Sequence, residues 1–366
     1  MQETKYTNQH NAKVKTNSKI SNQKIKSKEL KVLCKQMSIL LKSGCEIIKI
    51  LNIIHEQSSK KLKNAIEKVS INIQNGNNIT ESFEKTNLFS NFFINMLRAG
   101  ELSGNLDEIM NDLAKYYDNE EKLKSKIINI SIYPILLIIM SLVSGLFILV
   151  FIIPNFEMIF QSNGINPPLI TKILINASIF IREKYVYIVF LSLISILSIY
   201  YIIKYNPRAK YIKDKLKLKI PFINQMIILL ITTRFCRALS ILVKSGVHIV
   251  DAIDISSKVV DNAIVYEKLS ISRDYIRRGN NISYSISKSG VFQNSFISML
   301  RIGEESGNLD NTLRVTDDFY SEELNIKIEK TMKLAEPIVT VIVGLVIGFF
   351  IIAMVIPMFD AINSIQ

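Results

Sequence analysis

Two glutamates in matching polar stretches are the side chains of this sequence best placed to do chemistry. Residues 96–107 read MLRAGELSGNLD and residues 299–310 read MLRIGEESGNLD, which puts Glu101 and Glu304 at an offset of 203. A carboxylate can bind a cation, exchange a proton or pair with a basic partner. No nucleophile with an activating base accompanies either glutamate, so we predict no catalytic site and no enzymatic activity.

The remaining reactive side chains show no spacing that indicates a cofactor or a metal. The cysteines form no CxxC pair, and the histidines have no partner at the spacing of a metal site or a catalytic triad. These residues are Cys34, Cys45, Cys236, His10, His55 and His248. The chain also contains no GxxxxGK[ST], GxGxxG, HExxH or GxSxG motif. We therefore expect no cofactor, and any nucleotide hydrolysis that drives this protein must come from another protein.

A tight corner between two helices explains most of the duplicated stretch without a ligand. Gly100 is predicted to end one helix, Ser103 to cap the next one, and Asp107 to lie in its first turn. Arg98 and Glu101 are expected to pair across the corner. Two other interpretations stay open: a face that contacts a partner, and a cation at Glu101, the weak candidate in a chain where we expect no metal. The candidate residues of both copies are Arg98, Gly100, Glu101, Ser103, Gly104, Asp107, Arg301, Gly303, Glu304, Ser306, Gly307 and Asp310.

The duplication extends over most of each half of the chain. Residues 33–51 resemble residues 234–253, and residues 75–101 resemble residues 278–304. Apolar residues at helical spacing, without a long alternating pattern, predict a bundle of about six helices in each half. The first helix is predicted to end at Ser43-Gly44. Further helices of the first bundle are expected at about residues 46–57, 60–73, 79–85 and 90–99.

Three long uncharged segments predict transmembrane helices, at residues 127–153, 185–203 and 337–359. At about 1.5 Å per residue the first measures roughly 40 Å, enough to cross a hydrocarbon core of about 30 Å with some tilt. Buried helices of a soluble core rarely run so far without a charge. The predicted fold class is all-α: a polytopic membrane protein with two repeated cytoplasmic helical-bundle domains and three transmembrane helices.

The distribution of lysine and arginine predicts the orientation of the chain. Positive charge is dense before the first apolar segment and after the second, whereas the connection between them is nearly balanced. Under the positive-inside rule both bundles and the N-terminus face the cytoplasm, and the C-terminus lies outside. The predicted parts are a basic, disordered tail at 1–28, bundles at 29–126 and 204–336, an external loop with a short helix at 154–184, and an external tail at 360–366.

The net charge of +13 is concentrated in the N-terminal tail and in residues 204–219. The tail has no apolar stretch, so we expect no cleaved signal peptide. A nucleic-acid interface needs basic residues interleaved with stacking aromatics or a recognisable module, and the tail has neither. Attraction to anionic lipid on the inner leaflet explains the charge. We therefore expect membrane lipid as a partner and no direct binding of nucleic acid.

Small residues four positions apart recur in the first and last apolar segments. They are Ser141 and Gly145 in the first, and Gly344 and Gly348 in the last. Such pairs let helix backbones approach closely, so we expect packing faces here, either within one chain or between chains. No Asp, Glu, Lys, Arg or His lies within any predicted span, whereas ion pathways usually need one. A transporter or channel subunit is therefore only the alternative function.

In combination, the motifs resemble the type II secretion F family. They are the doubled GE-x-SGNLD, the SG after the first helix, Tyr133-Pro134 and Glu336-Pro337 at the starts of two spans, and Ile153-Pro154 and Ile356-Pro357 at their far ends. The resemblance covers about residues 30–361, and residues 166–181 are similar to the family's short loop helix. The family includes the PilC platform proteins of type IV pili and their competence-system relatives. Many members carry a longer leader than the lysine-rich tail of this chain.

The resemblance implies a non-enzymatic platform in the inner membrane. In the family, the cytoplasmic domains engage a hexameric assembly ATPase while the spans lie beneath a growing pilus or pseudopilus. The implied partners are this ATPase, pilins or pseudopilins, other components of the machine and further copies of the chain. Some members have a cation on the cytoplasmic domain, for which Glu101 is the candidate here. A pilus, a pseudopilus and a competence pilus all stay open.

Overall fold

The computed structural model describes residues 24–162, 168–220 and 223–363, and these residues form helices and turns without any strand. This confirms the predicted all-α class. The chain divides into two compact units after Met110. Residues 1–23 of the predicted tail at 1–28 lie outside the described residues. The same holds for residues 163–167 of the predicted loop and residues 364–366 of the C-terminal tail.

The first unit contains five complete helices and the start of a sixth. They are α1 (Ser27–Lys42), α2 (Ile47–Gln57), α3 (Lys60–Gln74), α4 (Ile79–Glu84), α5 (Asn91–Ser103) and α6 (Leu106–Phe147). Each of the first three helices buries one apolar stripe, and Leu33, Phe83 and Phe93 are almost completely buried. Gly44, with φ of +74°, follows the end of α1 as predicted. The expected positions of the next helices agree with α2 to α5 to within a few residues.

The second unit repeats this bundle and adds apolar helices. After α6 come α7 (Ile153–Ser162), α8 (Leu169–Tyr205), α9 (Pro207–Lys217), α10 (Ile223–Lys244), α11 (Ile249–Val259), α12 (Ala263–Arg277), α13 (Ile282–Ser287), α14 (Asn294–Glu305) and α15 (Leu309–Asn363). Helices α10 to α15 correspond in order to α1 to α6. In the core of this bundle, the ring of Phe296 packs edge-on against the rings of Phe235 and Tyr320.

Two long helices lead from the bundles into the apolar segments. Helix α15 has 55 residues, which corresponds to about 80 Å. Helix α6 continues through Pro134, and a π-helical turn at Ile148–Ile152 joins it to α7. Residues 169–181 belong to α8 and do not form a separate short helix, which differs from the expectation for the loop. Helix α8 continues because no proline or glycine interrupts it between Leu169 and Tyr205.

Within the part of the chain that the structure describes, three helical stretches stand out as long and apolar enough to cross a bilayer: residues 106–162, 224–244 and 309–353. The first contains the predicted span 127–153 and the last includes residues 337–353 of the predicted span 337–359, but the second is α10 and not the predicted segment at 185–203. More than half of the apolar stretch of α10 is buried, and this helix carries Arg234 and Arg237. It is therefore a core helix of the second bundle. In α8, by contrast, the side chains of residues 185–195 are all exposed.

Two prolines, Pro154 in α7 and Pro357 in α15, each leave a backbone carbonyl without its usual hydrogen-bond donor. In the π-helical turn the N–H of Ile153 donates to the carbonyl of Ile148, five residues earlier. Pro154 has no N–H to continue this pattern, so the carbonyl of Leu149 is freed. The hydroxyl of Ser178 in α8 donates to that carbonyl at 2.5 Å.

The same arrangement recurs at the end of α15. Pro357 cannot donate to the carbonyl of Ala353, four residues earlier, and the hydroxyl of Thr171 in α8 donates to it at 2.7 Å. Around these bonds α7, α8 and α15 share a buried apolar cluster, whose members are Ile153, Phe160, Leu174, Ile175, Phe350 and Ala353. Helix α8 therefore joins the far ends of the two repeated apolar helices through two buried hydroxyls.

Candidate functional site

Glu101 is turned inward and caps a neighbouring helix. Its two carboxylate oxygens accept hydrogen bonds from the backbone N–H groups of Ile79 and Thr80, at 2.7 and 3.1 Å. These groups lie at the start of α4, where N–H groups have no partner within the helix. Asn78, which precedes α4, does not cap it with its side chain. The glutamate therefore supplies the cap from a distance and neutralises the positive end of the helix dipole.

Glu304 does the same in the second bundle. It accepts from the N–H groups of Ile282 and Ser283, at 2.5 and 3.0 Å, at the start of α13. The hydroxyl of Ser283 adds a third hydrogen bond at 2.8 Å. The duplicated glutamate is thus a structural device that the two bundles share.

The two glycines of each copy have different structural roles. The prediction that Gly100 ends the helix is wrong. Gly100 lies inside α5, and a Cβ there would be 2.9 Å from Cγ1 of Ile109 in α6. Gly303 is buried in the same way against Thr312. The left-handed stop is Gly104, with φ of +73°, so α5 continues one turn beyond Gly100. Gly307, with φ of +64°, follows α14 in the second copy.

Ser103 was also predicted in the wrong role. The hydroxyl of Ser103 donates to the carbonyl of Gly100, and that of Ser306 to the carbonyl of Gly303, so both lie at helix ends and neither is an N-cap. Helix α6 begins only at Leu106, because Gly104 delays the turn. Asp107 and Asp310 do lie in the first turns of α6 and α15, where a negative charge is favourable.

The arginines of the corner face outward. Arg98 pairs with Glu84 at 3.1 Å, and not with Glu101 as predicted, because the carboxylate of Glu101 is held by α4. In the second copy, 203 residues further along, Arg301 takes the place of Arg98 and Ser287 that of Glu84. The exposed Arg301 therefore has no equivalent of this ion pair. A partner-contact face on these arginines stays a prediction.

The surroundings of Glu101 do not suit a cation. Its oxygens point at N–H donors at the positive end of α4, and such a site attracts anions. Among the residues the structure describes, no group of three or more His, Cys, Asp or Glu side chains could hold a metal ion.

A second polar site, which sequence reasoning missed, links α6, α10 and α15 within the second unit. Arg234 in α10 makes a bidentate ion pair with Glu120 in α6, at 2.7 and 3.1 Å. Arg237, one turn further along α10, pairs with Asp317 in α15 at 2.9 Å and also donates to Ser321. We call these two ion pairs the α10 brace. An arginine pair three residues apart in the apolar run RFCRALSIL could have signalled it.

Burial and charge oppose each other in the α10 brace. Burial disfavours the charge of Arg234, but the carboxylate of Glu120 outweighs this effect and raises the pKa of Arg234. Burial raises the pKa of Asp317 above its ordinary value, although Arg237 acts in the opposite direction. Breaking either pair would leave an uncompensated charge in a poorly hydrated place.

Further contacts extend this connection along the helices. Lys244 at the end of α10 pairs with Asp112 of α6 at 3.0 Å. Lys126 of α6 pairs with Glu329 of α15 at 2.8 Å, and these two residues occupy equivalent positions of the two repeats. Clefts of about 440 and 370 Å³ flank Arg237 and Asp317. The helices α6, α10 and α15 are therefore tied together at several levels within the second unit.

The predicted small-residue faces have different surroundings. A Cβ placed on Gly145 would lie 3.9 Å from the ring of Phe350 in α15, so Gly145 faces a helix of the same chain. Ser141 is half-buried. A Cβ placed on Gly344 or Gly348 would have no described atom within 4 Å apart from neighbouring residues and the backbone of its own helix. Packing of this second face against another chain stays a prediction.

Comparison with known proteins finds a protein family whose profile matches this chain. A profile described as type II secretion system (T2SS), protein F, matches the chain twice, at residues 33–154 and 235–357. The two matches coincide with the two repeats found in the sequence.

Individual relatives are similar along most of their length. The chain is 28% identical over 341 residues to the type IV pilus assembly protein PilC of Thermus thermophilus, which covers 93% of this chain and 84% of the relative. It is 28% identical over 348 residues to the protein of the same name from Pseudomonas aeruginosa, with coverages of 93% and 92%. The type II secretion system protein F of Xanthomonas campestris is 27% identical over 333 residues, with coverages of 90% and 82%.

Proposed function

Because this chain belongs to the type II secretion system protein F family, we propose that it is the membrane platform of a pilus or secretion machine. In this role it couples a cytoplasmic assembly ATPase to the extraction of pilins or pseudopilins from the bilayer and their polymerisation. Relatives named for type IV pilus assembly and for type II secretion support this proposal. The observation that carries it is the double match to the family, each match joining a helical bundle to an apolar helix. We propose no enzymatic activity of its own.

A platform must transmit a movement from the cytoplasm to the bilayer, and α15 is suited to this task. It begins at the corner after Gly307 and continues without a break to Asn363. The corner is separated from Pro337, at the start of the predicted span, by about 40 Å of helix. A displacement at the corner is therefore passed to the apolar segment along one continuous helix.

The α10 brace connects two such helices, so that they move together. Arg234 holds α6 and Arg237 holds α15, so a force on the second bundle acts on both helices before they reach their apolar segments. Lys126 and Glu329 join the two helices directly, close to those segments. We propose that this connection passes the motion of the ATPase to both repeated spans.

The proposed topology uses α8 as the return span. Its exposed apolar side chains at 185–195 suit lipid, whereas α10 is packed in the bundle. With α6 and α15 as the other two spans, both bundles and the N-terminus face the cytoplasm and the C-terminus lies outside. Further copies of the chain, packed through Gly344 and Gly348, complete the proposed assembly.

Reversal of one ion pair in the α10 brace tests the coupling. We expect Arg237→Glu alone and Asp317→Arg alone to abolish filament assembly, because each places like charges together in a buried site. The double variant restores the pair and should restore filaments. The measurement is filament counting by electron microscopy in cells that express only the variant, with its amount in the membrane determined in parallel.

The matched control reverses an exposed pair, Lys85 and Glu81, and should leave assembly unchanged. Normal filaments in both single variants, at normal amounts in the membrane, would contradict the proposed coupling. Retrieval of the assembly ATPase with the purified protein reports separately whether the platform still binds its motor.

A further inference from the structure

Helix α9 is fixed to the second bundle by a buried carboxylate on one of its faces. Asp214 is only 3% exposed, and it accepts a hydrogen bond from the N–H of Ala263 at 3.2 Å. Ala263 is the first residue of α12, so the carboxylate lies at the positive end of that helix. This contact determines which face of α9 is turned away from the bundle.

The opposite face of α9 is apolar and exposed. Ile212 is 57% exposed and Leu216 is 55% exposed. At about 100° per residue these two side chains lie within about 40° of each other, and Asp214 lies on the far side of the helix from them. The cationic residues Lys213, Lys215 and Lys219 are exposed beside this apolar strip. An apolar strip bordered by lysines is typical of helices that lie in a membrane interface.

The position of α9 along the chain favours the same partner. Helix α8 ends at Tyr205, and the single residue Asn206, in an extended conformation, turns the chain into α9. Pro207 then starts α9 with a backbone angle suited to a first helical turn. If α8 crosses the bilayer as proposed above, α9 begins at the cytoplasmic surface of the membrane, and the present inference rests on that topology.

We propose that α9 lies flat on the inner leaflet, between the lipid and the second bundle. Ile212 and Leu216 enter the boundary between headgroups and acyl chains, and the flanking lysines bind the phosphates of anionic phospholipids. Asp214 then transmits the orientation of this helix to α12. The occupant of the exposed face is an anionic lipid surface, and the face holds the bundle at a fixed height and tilt above the bilayer.

Quenching by spin-labelled lipid tests this contact in the full chain. The native thiols interfere little, since Cys34 and Cys236 are buried and Cys45 can be replaced by serine. In this background, Ile212→Cys carries a fluorophore in vesicles of phosphatidylcholine and phosphatidylglycerol that contain a nitroxide near the headgroup. The control is Ile302→Cys. Ile302 is 61% exposed on α14, and several turns of α15 separate it from the span. We expect strong quenching at residue 212 and none at residue 302.

A second label separates failure of this inference from failure of the topology. Leu191→Cys, in the apolar part of α8, reports whether α8 is in lipid, and Leu191 is exposed in the chain. Quenching at 191 without quenching at 212 would overturn the interfacial helix while leaving the span intact, and would indicate a protein partner for the exposed face. Absence of quenching at both positions would overturn the topology and the inference together.

Charge removal tests the lipid chemistry. Quenching at residue 212 should be stronger in vesicles that contain phosphatidylglycerol than in vesicles of phosphatidylcholine alone. The triple variant Lys213→Gln, Lys215→Gln, Lys219→Gln should lose most of this difference. The matched control neutralises three exposed lysines of α3, namely Lys60, Lys63 and Lys68, and should keep the full effect. Equal quenching in anionic and neutral vesicles would overturn the role of the lysines.

Discussion

Glu101 and Glu304 stabilise two helices that are too short to persist alone. Helices α4 and α13 have six residues each, well below the length at which an isolated helix is stable in water. Each begins on the carboxylate of a glutamate 21 or 22 residues further along the chain. The acidic side chain that looks most like a reactive group is therefore a distant helix cap.

Replacing each glutamate by glutamine tests this role at the scale of a residue. Glu101→Gln keeps the size of the side chain but removes the charge, so we expect it to destabilise α4 locally by about 1 kcal/mol. Hydrogen exchange of the full chain followed by mass spectrometry should show faster exchange at Ile79 to Glu84, and Glu304→Gln should do the same for α13. Glu56→Gln, on the exposed side of α2, serves as the control. Unchanged protection of α4 would show that the carboxylate is dispensable as a cap.

The corner also shows where sequence reasoning reaches its limit for single residues. The motif correctly indicated a helix-to-helix corner and the position of Asp107 in the first turn of the next helix, and Asp310 has the same position in α15. With Gly100 and Gly104 one turn apart, however, either glycine could have ended the helix. The choice depends on the approach of Ile109 to Gly100, a contact between two helices that no local pattern records. The partners of Arg98 and Glu101 were missed for the same reason.

The hydroxyls of α8 are the main feature at the scale of helices. Ser178 and Thr171 satisfy carbonyls that Pro154 and Pro357 leave without a donor. A buried carbonyl without a donor is costly, so these bonds hold α8 against both repeated helices.

A proline substitution makes this explanation testable. Ser178→Ala should lower the stability of the full chain against unfolding in SDS by about 1 kcal/mol. In the background of Pro154→Ala the same change should cost much less, because the restored N–H can bond to the carbonyl of Leu149. Ser192→Ala, whose hydroxyl bonds only within α8, is the control. If Ser178→Ala is equally harmful with and without Pro154, the hydroxyl does not act by replacing the missing donor.

At the scale of helices, the apolar pattern predicted far more than it did for single residues. Periodic apolar positions were sufficient to place α2 to α5 because each helix buries a single stripe. The absence of charge separated the predicted spans from α10, which is also apolar but carries Arg234 and Arg237. The bond between Thr171 and Ala353 joins residues 182 positions apart, so only the folded chain could reveal it.

For the whole molecule, the decisive quantity is the side of the membrane on which each part lies. We predict that a membrane-impermeant maleimide labels Lys172→Cys in intact cells but labels Ile302→Cys only in inverted vesicles, because the lysine-rich segments stay in the cytoplasm. A Cys45→Ser background suffices for this measurement. Burial raises the pKa of the Cys34 and Cys236 thiols, so these stay protonated and unreactive. Labelling of residue 302 from outside would place the corners beyond the reach of any cytoplasmic motor.

The hydroxyls of α8 also make both copies of the repeat depend on one unrepeated helix. The two bundles and their apolar helices are copies of one another, but α8 has no counterpart in the repeat, and it serves the proline of each copy. Loss of α8 would therefore remove the donors of both carbonyls at once, and the damage would reach the first and the second copy together.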